Sequence, residues 1–228
     1  KDKKIDSSLE KLKKTILVKG KTAKEQINYA IKKGLDHQGD IEFTFNIGSN
    51  FFLEIAKLKA FRILWKYKTG YNPFILCQTS ELNKETKFEY NNILRSTTES
   101  MSAIFGGANA ILINPYTTDA NDFAERISRN QLNILRTESH LDKVIDPSKG
   151  SYYIEYLISE LLKEYNIQDT LINKKSKKEW NSPEGIKIKS HYNIKDVENL
   201  RNHEFIAGSP PFLRGPYSTM YVNKPWTI

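Results

Sequence analysis

Apolar residues along the first 165 positions recur with two alternating periods. From Thr22, residues Ala23, Ile27, Ala30 and Ile31 fall at helical spacing up to Gly34, which reads as a helix stop. Ile41-Glu-Phe-Thr-Phe-Asn-Ile47 then alternates apolar and polar positions as far as Gly48, the pattern of a strand. Ser49-Asn50 offers a cap. Over 51–67 a helix follows, with Phe51, Ile55, Leu58, Phe61 and Trp65 on one stripe, while Glu54, Lys57, Arg62 and Lys66 can face water. The unit recurs. Pro73-Phe-Ile-Leu-Cys77 is a short continuous apolar run suited to a buried parallel strand, and a helix over about 88–105 is stopped by Gly106-Gly107. A third run, Ala108 to Ile113, precedes a helix over about 119–135, then a polar connector over 137–150 and a last helix over 151–165. Strands alternating with helices predict right-handed βαβ crossovers and a parallel sheet of three or four strands, too few to close a barrel alone.

The flanks read differently. Residues 1–21 are Lys-rich and expected to be a lead-in, with one short apolar patch at Ile16-Leu17-Val18; residues 22–166 hold the α/β unit, and the polar, basic stretch 167–183 is expected to be a linker. In the remainder, 184–228, a short strand is expected over 185–189 and a short acidic-capped helix near 195–201. An arm from Gly208 onward follows, too rich in Pro and Gly for regular structure. Its Tyr217, Tyr221 and Trp226 need a surface to pack on.

Composition narrows the function. The chain has 228 residues and a formal net charge of +8, from 35 Lys and Arg against 27 Asp and Glu. That surplus invites a nucleic-acid partner, but the Lys residues cluster in the lead-in and linker and alternate with acids on the helices, so none is expected. No apolar run reaches the roughly 18–20 residues of a membrane helix, and the N-terminus does not read as a secretory signal. With one Cys there is no intramolecular disulfide and no Cys-pair zinc site, which fits a reducing cytosol or matrix; a cytoplasmic location is expected. His37, His140, His191 and His203 form no spaced ligand pair, and no metal site is expected. His140, in Glu138-Ser-His-Leu-Asp142, is expected on a loop capping the sheet, where sites form. Cys77 reads as a small buried hydrophobe. The arm's hydroxyls, thioether and rings, followed by Lys224, can line a long polar ligand or pack over a neighbouring subunit.

Two segments carry a resemblance. Gly208-Ser-Pro-Pro-Phe-Leu-Arg-Gly-Pro-Tyr-Ser-Thr-Met-Tyr-Val-Asn-Lys-Pro-Trp-Thr-Ile228, with Trp180-Asn-Ser-Pro-Glu-Gly-Ile-Lys-Ile-Lys before it, resembles the N-terminal substrate-channel segment of the catalytic large subunit in the methylmalonyl-CoA mutase family. Phe51-Phe-Leu-Glu-Ile-Ala-Lys, Gln78-Thr-Ser, Asn91-Asn-Ile-Leu-Arg-Ser-Thr-Thr-Glu and His140-Leu-Asp-Lys-Val-Ile-Asp-Pro-Ser-Lys-Gly-Ser-Tyr-Tyr-Ile-Glu resemble later βα units of the family's barrel. The resemblance implies the C-terminal portion of a (β/α)8 TIM-type barrel, three to four βα units, followed by a linker and an extended Pro/Gly-rich arm. In the family the arm segment precedes the barrel; here it follows, so the chain resembles the end of a small subunit joined to the start of a large one, as a fusion or fragment.

The departures shape the expected role. Catalytic subunits of the family carry a His two residues before Gln-Thr-Ser, where this chain has Leu76. An aliphatic side chain transfers no proton, so no catalytic residue is expected and the barrel part resembles the non-catalytic small subunit. The family's cobalamin-ligand motif is absent, since Asp36-His-Gln-Gly39 has the wrong spacing. The family's catalytic Tyr lies beyond the Pro-Trp-Thr-Ile stretch. By resemblance, the arm's CoA-contacting positions are Tyr217, Thr219, Met220, Lys224 and Thr227, with Lys224 replacing the usual Arg. The implied function is a share in an adenosylcobalamin-dependent isomerase that interconverts succinyl-CoA and (R)-methylmalonyl-CoA. Adenosylcobalamin would serve the intact assembly without being ligated by this chain, and the implied partners are a catalytic subunit, as a heterodimer, and an acyl-CoA. The alternative is a structural interaction subunit that binds no ligand.

Overall fold

The computed structural model describes residues 14–37, 40–119, 121–165, 167, 179–200 and 204–223. Four strands, β1 (Lys14–Leu17), β2 (Ile41–Ile47), β3 (Phe74–Thr79) and β4 (Ala110–Leu112), pair in sequence order and all in parallel. Helices α1 (Ala23–Leu35), α2 (Phe51–Thr69) and α3 (Asn91–Phe105) make the crossovers, and α4 (Asp122–Thr137) follows β4. Successive strands lying side by side is the winding of a barrel wall, and the sheet fits part of an α/β barrel.

Strand alternation separates the two faces. Phe43, Phe45, Ile47, Ile75 and Cys77 are buried under the helices. The other face is arranged in cross-strand rows: Leu17, Thr44, Leu76 and Ala110 in one, Asn46, Gln78 and Leu112 in the next. Helix α2 is the centre of the covered side. Its Phe61 and Trp65 meet the Phe43 ring edge-on at centroid distances of 4.8 and 4.7 Å, and Phe45 lies 4.9 Å from Phe61. Helix α5 (Tyr152–Leu162) packs back onto α2, with Ile154, Ile158 and Leu161 buried. The loop before it is pinned by Lys59, whose ammonium donates to Asp146 at 2.5 Å and Ser148 at 2.7 Å.

Several elements differ from expectation. The stretch read as a lead-in contains β1, because Ile16 and Val18 are buried in the common core. Gly34 does not stop α1, which runs on to Leu35; it is a packing position, since a Cβ there would lie 2.7 Å from the Phe43 ring and against the Trp65 indole. Helix α4 starts later than expected because Asn121 caps it, accepting the Ala124 amide at 3.0 Å. The stretch read as a linker holds β5 (Glu179–Asn181), antiparallel to β6 (Lys187–Lys189). The helix expected near 195–201 is only a 3-10 turn, Ile194–Asp196, closed by an Asn193 capping box.

Replacing Gly34 by Ala forces a methyl into these rings, so Gly34→Ala is expected to lower unfolding stability by about 1–3 kcal/mol. A urea midpoint unchanged from wild type would show that the helix can shift aside freely.

Candidate functional site

In parallel α/β sheets, ligands collect at the carboxyl ends of the strands. There a cavity of about 340 Å³ opens between Leu17, Thr44, Asn46, Gln78, Ser80 and Asn114. The Thr44 hydroxyl is buried without a hydrogen-bond partner among the described residues. A wider cleft of about 740 Å³ adjoins it between the loops after β3 and β4, with Glu81 and Asn114 lining both.

Two asparagines organise this end. Asn114 donates its backbone N–H to Thr79 Oγ1 at 2.9 Å and its side-chain amide to the Thr79 carbonyl at 2.9 Å, while Oδ1 accepts from Gln78 Nε2 at 2.8 Å. Asn92, at the start of α3 and 1% exposed, satisfies its whole amide: Nδ2 donates to the carbonyls of Glu85 and Tyr116, each at 2.8 Å, and Oδ1 accepts from the Glu85 amide and Arg95. One side chain thereby ties the loop after β3 to the loop after β4. Behind it Glu99 is fully buried on α3, and its carboxylate accepts from Lys84 at 2.9 and 3.0 Å and from Asn83 at 2.5 Å. The sequence named Asn92 only within a run and passed over Asn114 and Thr44; an Asn just past a strand end, before Pro115, was the available signal for Asn114.

These groups can hydrogen-bond a polar ligand. Among the described residues, no histidine lines either cavity. Leu76 lies on the inner face, paired with Thr44, where its side chain offers no proton. Cys77 points the other way, fully buried, and burial pushes its thiol up to about 12.

His140 lies elsewhere than expected. It follows α4, so it belongs to the end of the layer opposite the strands' carboxyl ends, with a left-handed φ of 53°. Its ring centroid is 4.8 Å from that of Trp180 on β5, and its Nδ1 is buried without a hydrogen-bond partner among the described residues. Nearby the Ile145 amide donates to the Ser190 carbonyl at 2.9 Å. A hydrogen bond from Ser182 holds the Glu184 carboxyl below the usual range, with His140 contributing.

Of the arm positions, Tyr217, Thr219 and Met220 share one run of turns, in which the Met220 amide donates to the Tyr217 carbonyl at 3.2 Å and the Val222 amide to the Thr219 carbonyl at 2.8 Å. The Met220 side chain covers Gly215 where a Cβ would stand, and Gly215 has a φ of 114°, a backbone conformation that favours glycine. Tyr217 remains 40% exposed. Lys224 and Thr227 lie outside the described residues. Arg214 donates through Nε to the Phe205 carbonyl at 3.3 Å, within the arm.

Two outcomes follow from these burials. Lys84→Met strands the Glu99 carboxylate and is expected to cost about 3–5 kcal/mol; a thermal melt that matches wild type would mean Asn83 alone satisfies it. The Cys77 thiol stays protonated in the native state up to about 12, so its contribution to stability is full below the unfolded thiol's pKa and is lost as pH rises through the folded one. Native protein at pH 8 is therefore expected to resist a disulfide thiol reagent that labels the urea-unfolded chain at once, and equal rates would disprove this.

The methylmalonyl-CoA mutase family profile matches residues 20–174 and 181–228. The chain is 39% identical over 153 residues to the methylmalonyl-CoA mutase of Rhizobium meliloti (60% of this chain, 22% of that protein). It is 42% identical over 134 residues to the methylmalonyl-CoA mutase small subunit of Porphyromonas gingivalis (53% and 22%). The Escherichia coli methylmalonyl-CoA mutase is 36% identical over 155 residues (61% and 22%). The chain thus spans 22% of the length of each of these relatives. No helix among the described residues is long and apolar enough to cross a membrane. The chain belongs to the methylmalonyl-CoA mutase family.

Proposed function

We propose that this chain is a non-catalytic contributor to an adenosylcobalamin-dependent methylmalonyl-CoA mutase assembly. Residues 22–166 supply barrel wall in the manner of a small subunit, and 184–228 supply part of an acyl-CoA channel, with 167–183 joining them. The observation that carries the non-catalytic part is Leu76, which takes the inner-face position of the family's His. The small-subunit relative from Porphyromonas gingivalis supports a heterodimer with a catalytic subunit that interconverts succinyl-CoA and (R)-methylmalonyl-CoA.

The family's cobalamin-ligand motif is missing here, since Asp36-His-Gln-Gly39 has the wrong spacing for it. His37 is engaged by Lys14 at 3.2 Å and His140 by Trp180. Adenosylcobalamin therefore belongs to the partner in this proposal, and no chemical step is assigned to this chain. What the chain does is bind and enclose: Tyr217 offers a ring face and a hydroxyl, Met220 an adaptable apolar surface, Thr219 and Thr227 hydroxyls, and Lys224 a cation for phosphate. A cytoplasmic setting suits such an assembly and a chain with one Cys.

Calorimetric titration of CoA into the complex of this chain with the catalytic subunit tests the proposal. Tyr217→Ala and Lys224→Ala are each expected to weaken binding about 5–10-fold, roughly 1–1.4 kcal/mol. Unchanged affinity in both variants would overturn the channel role and leave a structural interaction subunit.

A further inference from the structure

The two family-matched stretches, 20–174 and 181–228, meet in the structure at a place away from the cavities. The first offers the connector between α4 and α5; the second offers the β5–β6 hairpin and the residues just after it. Two contacts join them, with a longer-range charge interaction beside them. The Trp180 ring lies 4.8 Å from the His140 ring at an interplanar angle of 51°. The Ile145 amide donates to the Ser190 carbonyl at 2.9 Å. Glu184, at the hairpin turn, feels His140 electrostatically, and its carboxyl is held low by Ser182 first and His140 last.

Both partners carry internal bonds of their own. The connector is held on its own side by Lys59, which grips Asp146 and Ser148, and by the Leu141 amide, which donates to the Leu135 carbonyl at 3.1 Å. Asp146 itself has a φ of 50°, in the left-handed region. The hairpin is held by its own turn, where the Gly185 amide donates to the Ser182 carbonyl and the Ser182 amide to the Ile186 carbonyl, each at 2.9 Å, and Gly185 has a φ of 77°. Across the strands Lys187 pairs with Glu179 at 2.8 Å, and beyond them Lys189 pairs with Asp196 at 2.5 Å. Surfaces held by internal bonds of their own lose less conformational entropy on docking. Trp180 supplies the flat aromatic anchor that such small interfaces rely on.

We propose that the connector around His140 and Ile145 is a docking site for the β5–β6 hairpin, and that it holds the 179–223 segment on the barrel segment without help from the covalent link between them. The site selects a short antiparallel hairpin that presents an indole to the His140 ring and, just past its second strand, the Ser190 carbonyl to the Ile145 amide. This interface stands apart from CoA binding: it would fix where the arm begins whether or not the arm meets an acyl-CoA.

The test uses the full chain with a specific protease sequence placed within 168–178, cleaved after folding. The two products are expected to co-elute in gel filtration, and Trp180→Ala is expected to separate them, while Tyr217→Ala is not. Separation of the wild-type products would overturn the proposal. In the uncleaved chain, hydrogen exchange at the Ile145 amide is expected to quicken at least tenfold in Trp180→Ala, with the Val18 amide, bonded to the Thr44 carbonyl, unchanged as an internal reference. Equal exchange at Ile145 in the two proteins would equally overturn it, even if the Trp180→Ala products stay together. Swapped pairing between two copies would appear as a dimer before cleavage and would overturn docking within one chain.

Discussion

Everything described here rests on the packing of α2 against β2. A parallel strand can be covered only by a helix from its crossover, and here the cover is aromatic: Phe43 and Phe45 from the strand against Phe61 and Trp65 from the helix. Large rings leave little slack, so their neighbours must be small. Gly34 lets α1 approach the same rings, and Gly106 lets the end of α3 approach Leu58, where a Cβ would stand 2.6 Å from Cδ1. On its outer side α2 receives α5 and holds the connector through Lys59. The sheet, the helix layer and the hairpin's docking place are therefore positioned by one helix. A buried charge lies within this packing: Lys57, 1% exposed, pairs with Glu54 and donates to Gln26 at 2.8 Å and to the Asn46 carbonyl at 3.0 Å. Its bonds reach α1 and the end of β2 at once, so the cost of burying the ammonium is met by linking three elements.

With one face sealed, strand alternation delivers the other set of side chains to the inner face. That is why Thr44, Asn46, Leu76 and Gln78 share a surface although only Gln78 and Leu76 belong to one motif. The order of events runs from packing to chemistry: the aromatic face fixes the register, the register fixes which residues line the cavity, and Asn92 and Asn114 then fix the loops above it.

Much of this was legible in the sequence because it depends on periodicity. The alternation over 41–47, the stripe over 51–67 and the apolar run before Cys77 each describe burial on a defined face, and burial is what β2, α2 and β3 do. Strand β1 was not legible because only four residues form it and its neighbours are Lys-rich; its burial comes from partners distant in sequence. Gly34 was misread because a glycine near a helix end looks the same whether it ends the helix or admits an indole. Strand β6 falls within the strand expected over 185–189, but its partner β5 escaped for a related reason: each has three residues, and their pairing comes from a turn, ion pairs and a histidine from another segment rather than from an apolar pattern. Asn114 and Thr44 could not be found from spacing, since what makes them matter is a register between strands. In the arm, the motif that carries Tyr217, Thr219 and Met220 was plain, and the local turns that bring them together follow from Gly208 and Gly215 adopting left-handed φ values.

The position of Leu76 separates two tasks that a catalytic barrel combines. Enclosing a long substrate requires shape, and the row Leu17, Thr44, Leu76 and Ala110 has the modest volumes and single hydroxyl that a passage can tolerate. Moving a proton or steadying a developing charge requires a titratable or strongly donating group at the same depth, and this row has none. A His for Leu exchange at one inner-face position would leave the helix-side packing untouched, because the residue points away from Phe43, Phe61 and Trp65. The fold can thus keep its stability while giving up chemistry. Under the proposed function that freedom is what a structural subunit uses: its barrel wall keeps the aromatic core that catalytic relatives would also need, and its inner face no longer has to be anything more than a wall.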